Sequence, residues 1–155
     1  MVSRKPLLNV ICFDERWENL PSSWQEDIQR AFEKIASLVS EDFSEREVSV
    51  VFTDDKEVQG LNKKFRHQDK PTNVLSFPSE EKEELGDIIL AYETVQKEAV
   101  ESGISLLHHT LHLIVHGFLH LLGYDHEKEE AAEKMETLEI QILESLNIAN
   151  PYEDR

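Results

Sequence analysis

The sequence predicts an α/β (α+β) domain, a small mixed four-stranded sheet packed with about five helices. Three observations carry that reading. Short apolar or alternating runs near residues 7–13, 47–52, 73–77 and 86–90 are interleaved with longer segments of helical periodicity. The segment 105–122 is a long apolar stretch interrupted by five histidines, so it belongs at the centre. The 155 residues hold no repeat, low-complexity tract or Gly/Ser linker, so residues 1–155 read as a single domain with room for a proper core.

In chain order, Leu7-Leu-Asn-Val-Ile-Cys-Phe13 is a first strand, with Cys12 expected as a buried thiol. From Trp24 to Val39, the residues Trp24, Ile28, Ala31, Phe32, Ile35 and Val39 recur at helical spacing, and Ser22 or Ser23 is placed to cap them. Glu47–Phe52 is a second strand, after which Thr53 is expected to cap a short helix running to about Phe65. Asn73–Phe77, bounded by Pro71 and Pro78, is a third strand, and Gly86–Leu90 a fourth. Thr94–Glu101 reads as a helix. Ser105–Leu122 is the central one, ended by Gly123 in the left-handed conformation. Glu127–Leu146 closes the chain as an amphipathic helix with Met135, Leu138, Ile142 and Leu146 on one face.

Charge narrows the function. Sixteen Lys and Arg against 32 Asp and Glu give a net charge of −16, which disfavours a non-specific nucleic-acid or acidic-membrane binder. It leaves room for an enzyme that meets nucleic acid through a small basic patch. One cysteine allows no internal disulfide and points to a reducing cytoplasm. No secretory signal is evident, and the five histidines between Leu106 and Leu122 make that stretch too polar for a membrane span.

Six of the seven histidines fall between residues 108 and 126. Four residues of α-helix turn by about 400°, so His116 and His120 share a face about 6 Å apart along the axis. Their imidazoles can converge on one cation. A third corner cannot come from the same strip, but a chain that turns back at Gly123 can bring in His126. Three neutral imidazoles favour zinc, at the end of the central helix, with a fourth position open in the catalytic manner. The His-x3-His-x5-His spacing is similar to that of the metzincin proteases, which carry Glu after the first His as general base. Gly117 stands there instead. A mid-helix glycine costs about 1 kcal/mol against alanine, which signals either close approach to the metal or helix packing. His112, one turn earlier, reads as a supporting group or proton shuttle, and Asp125 as a group that could orient a ligand ring. His108 and His109 read as surface or packing residues.

His116-Gly-Phe-Leu-His-Leu-Leu-Gly-Tyr-Asp-His126 resembles the bacterial YbeY family. So do Leu61-Asn-Lys-Lys-Phe-Arg-His-Gln-Asp-Lys-Pro-Thr-Asn-Val-Leu-Ser-Phe-Pro78, Gly86-Asp-Ile88, and the tail from Met135-Glu136 through Glu139 to Pro151-Tyr152. Asn73 stands where the family often has Asp, which leaves the metal motif untouched. The resemblance implies a single-strand-specific endoribonuclease of ribosomal RNA maturation (the 16S 3′ end) and ribosome quality control. It implies one zinc ion on His116, His120 and His126, with Arg66 as the catalytic arginine and His116 counted as catalytic as well as a ligand. The residues themselves agree in part. Residues 62–70 hold Lys63, Lys64, Arg66 and Lys70 with one acid and one aromatic, suited to a phosphate backbone or, equally, to a solvated helix end.

Lys63, Lys64 and Lys70 are therefore candidate RNA-binding residues. Weak, salt-sensitive binding to bare RNA, with delivery by ribosomal proteins or assembly factors, is expected of so acidic a chain. Two other readings remain: a zinc hydrolase of another substrate such as peptide, and a non-enzymatic ribosome-assembly factor with structural zinc.

Overall fold

The computed structural model describes residues 4–39, 41–124 and 128–152. The strands are β1 (Leu7–Cys12), β2 (Glu47–Thr53), β3 (Val74–Pro78) and β4 (Glu84–Ala91). The helices are α1 (Trp24–Val39), α2 (Asp55–Arg66), α3 (Tyr92–Ser102), α4 (Leu106–Leu121) and α5 (Glu129–Ser145). The sheet order is β1-β2-β4-β3. β1, β2 and β4 run parallel, and β3 pairs antiparallel with β4, placing Phe77 opposite Asp87. The mixed four-stranded sheet and five helices are the α+β fold that the sequence predicts.

Strand alternation sends side chains to two different cores. Val48, Val50 and Phe52 of β2 and Ile88 and Leu90 of β4 join residues of α1, α4 and α5 in the larger one. Leu75, Ile89 and Ala91 face the other way and pack with Val58 of α2, flanked by Val51, Leu61 and Phe77. α4 is central because eleven of its sixteen residues are buried. It packs against β3, β4, α1, α3 and α5.

Several local expectations need correction. Cys12 is exposed, not buried. β1 is an edge strand whose ends lie beyond the core, and Leu7 and Ile11 are exposed with it. A 3-10 turn at Glu15–Asn19, unforeseen in the sequence, follows β1 and buries Trp17. Thr53 does not cap α2. It ends β2, buried, with its carbonyl accepting from the Trp17 indole at 2.8 Å. The cap is Asp54, whose carboxylate accepts from the Glu57 amide at 2.8 Å. α3 starts at Tyr92, two residues before the expected Thr94, and Ser105 caps α4 through the His108 amide. Glu127, the expected start of the last helix, lies outside the described residues.

Candidate metal centre and the arginine beside it

α4 delivers His116 and His120 one turn apart, with their Nε2 atoms 3.0 Å from each other and their rings 80° apart. What lies behind each ring fixes which nitrogen carries the proton. Nδ1 of His116 is 2.5 Å from Oε1 of Glu139 on α5. Nδ1 of His120 is 3.0 Å from the Tyr124 carbonyl. A carbonyl and a carboxylate only accept, so both Nδ1 atoms are donors, and in a neutral ring that leaves the Nε2 lone pair facing the other histidine. Two lone pairs at 3.0 Å repel unless positive charge lies between them. Two metal–nitrogen bonds of about 2.0–2.1 Å at a tetrahedral angle hold their nitrogens about 3.3–3.4 Å apart, so the pair is within a few tenths of an ångström of zinc geometry. The donor chemistry fits a metal.

The helix end sets His120. Gly123 takes φ +95°, its amide bonds to the His120 carbonyl at 3.0 Å and the Tyr124 amide to the Leu119 carbonyl at 3.0 Å. This pair of closing bonds ends α4 and turns the Tyr124 carbonyl back onto the His120 ring.

Glu139 sets His116. Its side chain has no exposed surface, yet it accepts from His116, from Nε2 of His112 at 3.3 Å, and from the Tyr152 hydroxyl. Burial raises a carboxyl, but here the bonds from His112, His116 and Tyr152 outweigh it and hold Glu139 down to about 2. The group is an anion at neutral pH. Burial and then the Glu139 carboxylate push the Tyr152 hydroxyl well above its ordinary value, so it stays a donor. The sequence names Glu139 only within the tail that resembles the family and gives it no role at the site. The available signal was an acid inside the apolar stripe Met135, Leu138, Ile142 of α5, all buried or half-buried.

Of the three expected metal ligands, the structure brings together His116 and His120. His126 and Asp125 lie outside the described residues. Among the described residues no group of three His, Cys, Asp or Glu side chains that could hold a metal ion is present. His112 stands behind the pair, its ring 6.4 Å from that of His116 and turned to Glu139. His109 is buried against Glu98 at 2.9 Å and His108 is exposed, in keeping with packing and surface roles.

Gly117 is explained by packing. A Cβ there would lie 2.9 Å from Ile88 Cγ2 and 2.9 Å from Ser76 Oγ, so α4 rests on β3 and β4 where only a glycine fits. Ser76 Oγ donates to the Gly117 carbonyl at 3.1 Å, and the Ser76 carbonyl accepts from Nη2 of Arg66 at 2.9 Å. Two hydrogen bonds through one buried serine thus tie the arginine to the residue after His116. The Arg66 guanidinium also lies 5.5 Å from the Phe77 ring centroid. Lys63 and Lys64 are exposed on α2, and Lys63 faces Asp69 at 3.8 Å. Lys70 is exposed on the following turn, where its carbonyl accepts from Asn62.

The family profile described as Endoribonuclease YbeY matches residues 11–147. The chain belongs to that family. Among its YbeY relatives, the Endoribonuclease YbeY of Bradyrhizobium diazoefficiens is 48% identical over 97% of this chain and 87% of the relative. That of Zymomonas mobilis is 47% identical over 86% of each. That of Chelativorans is 56% identical over 68% of this chain and 69% of the relative. The solution structure of a Thermotoga maritima protein, 28% identical, superposes with a TM-score of 0.59 over 96% of this chain and 97% of the other. The residues assembled above, His116, His120, Arg66 and Glu139, all fall inside the span that the YbeY profile matches.

Proposed function

We propose that this protein is a zinc-dependent endoribonuclease that cuts single-stranded RNA, with one zinc ion on His116, His120 and His126. The observation that carries it is the inward-facing Nε2 pair of His116 and His120, each ring locked from behind by an acceptor. Family membership supplies the reaction: the matching relatives are named endoribonucleases. Maturation of the 16S ribosomal RNA 3′ end in the cytoplasm, with ribosomal proteins or assembly factors bringing the RNA, is the setting we propose. A net charge of −16 supports assisted delivery over tight binding to bare RNA. Among the described residues no helix is long and apolar enough to cross a membrane.

Zinc, when bound, supplies Lewis acidity beside the scissile phosphate. The remaining work falls to the chain. Arg66, anchored on the Ser76 carbonyl and over Phe77, presents its other guanidinium N–H groups to the phosphate oxygens and offsets charge as the phosphorus becomes five-coordinate. Glu139 keeps the His116 proton on Nδ1 and balances positive charge that builds on that ring. His112 shares that carboxylate and is placed to relay a proton through it. Lys63, Lys64 and Lys70 add positive charge along the approach of the backbone. Position 117 carries no carboxylate, so the proton-transfer group of the similar protease motif has no counterpart here.

The test is metal analysis beside a cleavage assay on unstructured RNA. One equivalent of zinc with RNA cleavage is expected. In the Arg66→Ala variant, metal content should persist while cleavage falls by orders of magnitude. A metal-free, RNA-cleaving protein would overturn the zinc assignment.

A further inference from the structure

α2 presents its apolar residues at Val58 and Leu61 to the sheet, and the same stripe continues to Phe65. There the helix has run past the cover of the sheet, and Phe65 is left 57% exposed. The ring is not loose. It meets Phe77 of the edge strand β3 at 5.6 Å between centroids in an edge-to-face contact. Nζ of Lys64 lies 5.2 Å from its centroid, and Arg66 lies over the neighbouring Phe77. The chain as a whole repels polyanions, yet the segment 62–70 that carries this ring holds Lys63, Lys64, Arg66 and Lys70 against the single acid Asp69.

An exposed aromatic ring with Lys64 beside it and Arg66 over its aromatic neighbour suits one ligand chemistry: an unpaired nucleobase on the ring with its phosphate on the neighbouring cation. A base inside a duplex has both faces covered by its stack and cannot use such a ring without being pulled out. We propose that Phe65 is the base-stacking platform of the RNA site and the residue through which the protein prefers single strands over duplexes. Arg66 takes the phosphate attached to the stacked base, because the ring and the guanidinium share Phe77 as their common neighbour. Phe77 is then a positioning residue for both. This rests on the RNA-cleaving reading above.

The experiment follows a short single-stranded RNA carrying a fluorescent purine analogue, whose emission is quenched when the base stacks, and the same sequence as a duplex. Phe65→Leu keeps apolar volume and removes the aromatic face. It should weaken single-strand binding about tenfold, abolish the quench, and leave the weak duplex binding unchanged. Phe65→Trp should restore both affinity and quench, which a merely structural role for the ring does not predict. A leucine variant that binds and quenches the single strand like the parent overturns the proposal, as does equal weakening on single strand and duplex. Cleavage is read separately on the parent protein and on the leucine variant, at RNA concentrations below saturation. Binding that depends on Phe65 without any cleavage removes the nuclease reading and keeps the platform. Cleavage indifferent to Phe65→Leu removes the platform and keeps the nuclease.

Discussion

Nδ1 of His116 lies 2.5 Å from a carboxylate oxygen of Glu139 that no solvent reaches. Such a pairing fixes the imidazole's tautomer and its rotation together, so the reactive Nε2 is aimed before any cation arrives. An anion buried at this depth is costly unless its lone pairs are filled, and here two rings and a phenol fill them.

Glu139→Gln keeps the shape of that support and removes its charge. Zinc affinity should fall by roughly 10–100-fold, read by competition against a chelator of known affinity. Tyr152→Phe, which takes away one of the three donors, should give a smaller loss in the same direction. Unaltered affinity in the glutamine variant would show that Glu139 serves the fold alone.

Arg66→Lys should cost nearly as much RNA cleavage as Arg66→Ala. Lysine keeps the charge, but it lacks the planar fork that can hold the Ser76 carbonyl and a phosphate at once. Single-turnover rates on a short RNA would show it. Full activity in the lysine variant would mean that charge alone suffices.

Gly117→Ala pits two effects against each other. Alanine gains about 1 kcal/mol of helix propensity, while its methyl must fit 2.9 Å from Ile88 and Ser76. Overpacking of a tight contact costs about 1–3 kcal/mol, so a net loss of about 1 kcal/mol is expected in chemical denaturation. The displaced Ser76 should also slow RNA cleavage, because its carbonyl holds Arg66.

Asp87, exposed on β4 opposite Phe77, has its carboxyl raised by partial desolvation and then by Glu84, against a hydrogen bond from Ser49 that lowers it. A folded value above the unfolded one means that protonation favours the folded state. This group's contribution to stability is therefore fully present below the ordinary carboxylate range and is lost as pH climbs through the raised value. Asp87→Asn should stabilise the protein slightly at neutral pH and flatten that part of the pH–stability curve, followed by thermal melts across pH.

Much of this was legible in the residues. The α4 histidine pair follows from helical spacing, and the end of α4 from Gly123, since both are local geometry. The four strands and five helices follow from periodicity for the same reason. What escaped was tertiary. Cys12 sits in an apolar run, yet only strand order reveals that its strand is an edge. Thr53 and Asp54 are both good caps, and the Trp17 indole, 36 residues away in sequence, decides between them by claiming the Thr53 carbonyl. Glu139 looks like one acid among 32 until α5 is laid against α4. Gly117 could have served substrate or packing, and the choice fell to Ile88 and Ser76, residues that periodicity cannot bring to it.

The exposed thiol of Cys12 lies at the open edge of the sheet, beside exposed Ile11 and Phe13. Two copies that meet there can be joined by a disulfide as air oxidises the paired thiols. Preparations kept without reductant will therefore accumulate a cross-linked species, and a Cys12→Ser form is the sounder starting material for long measurements.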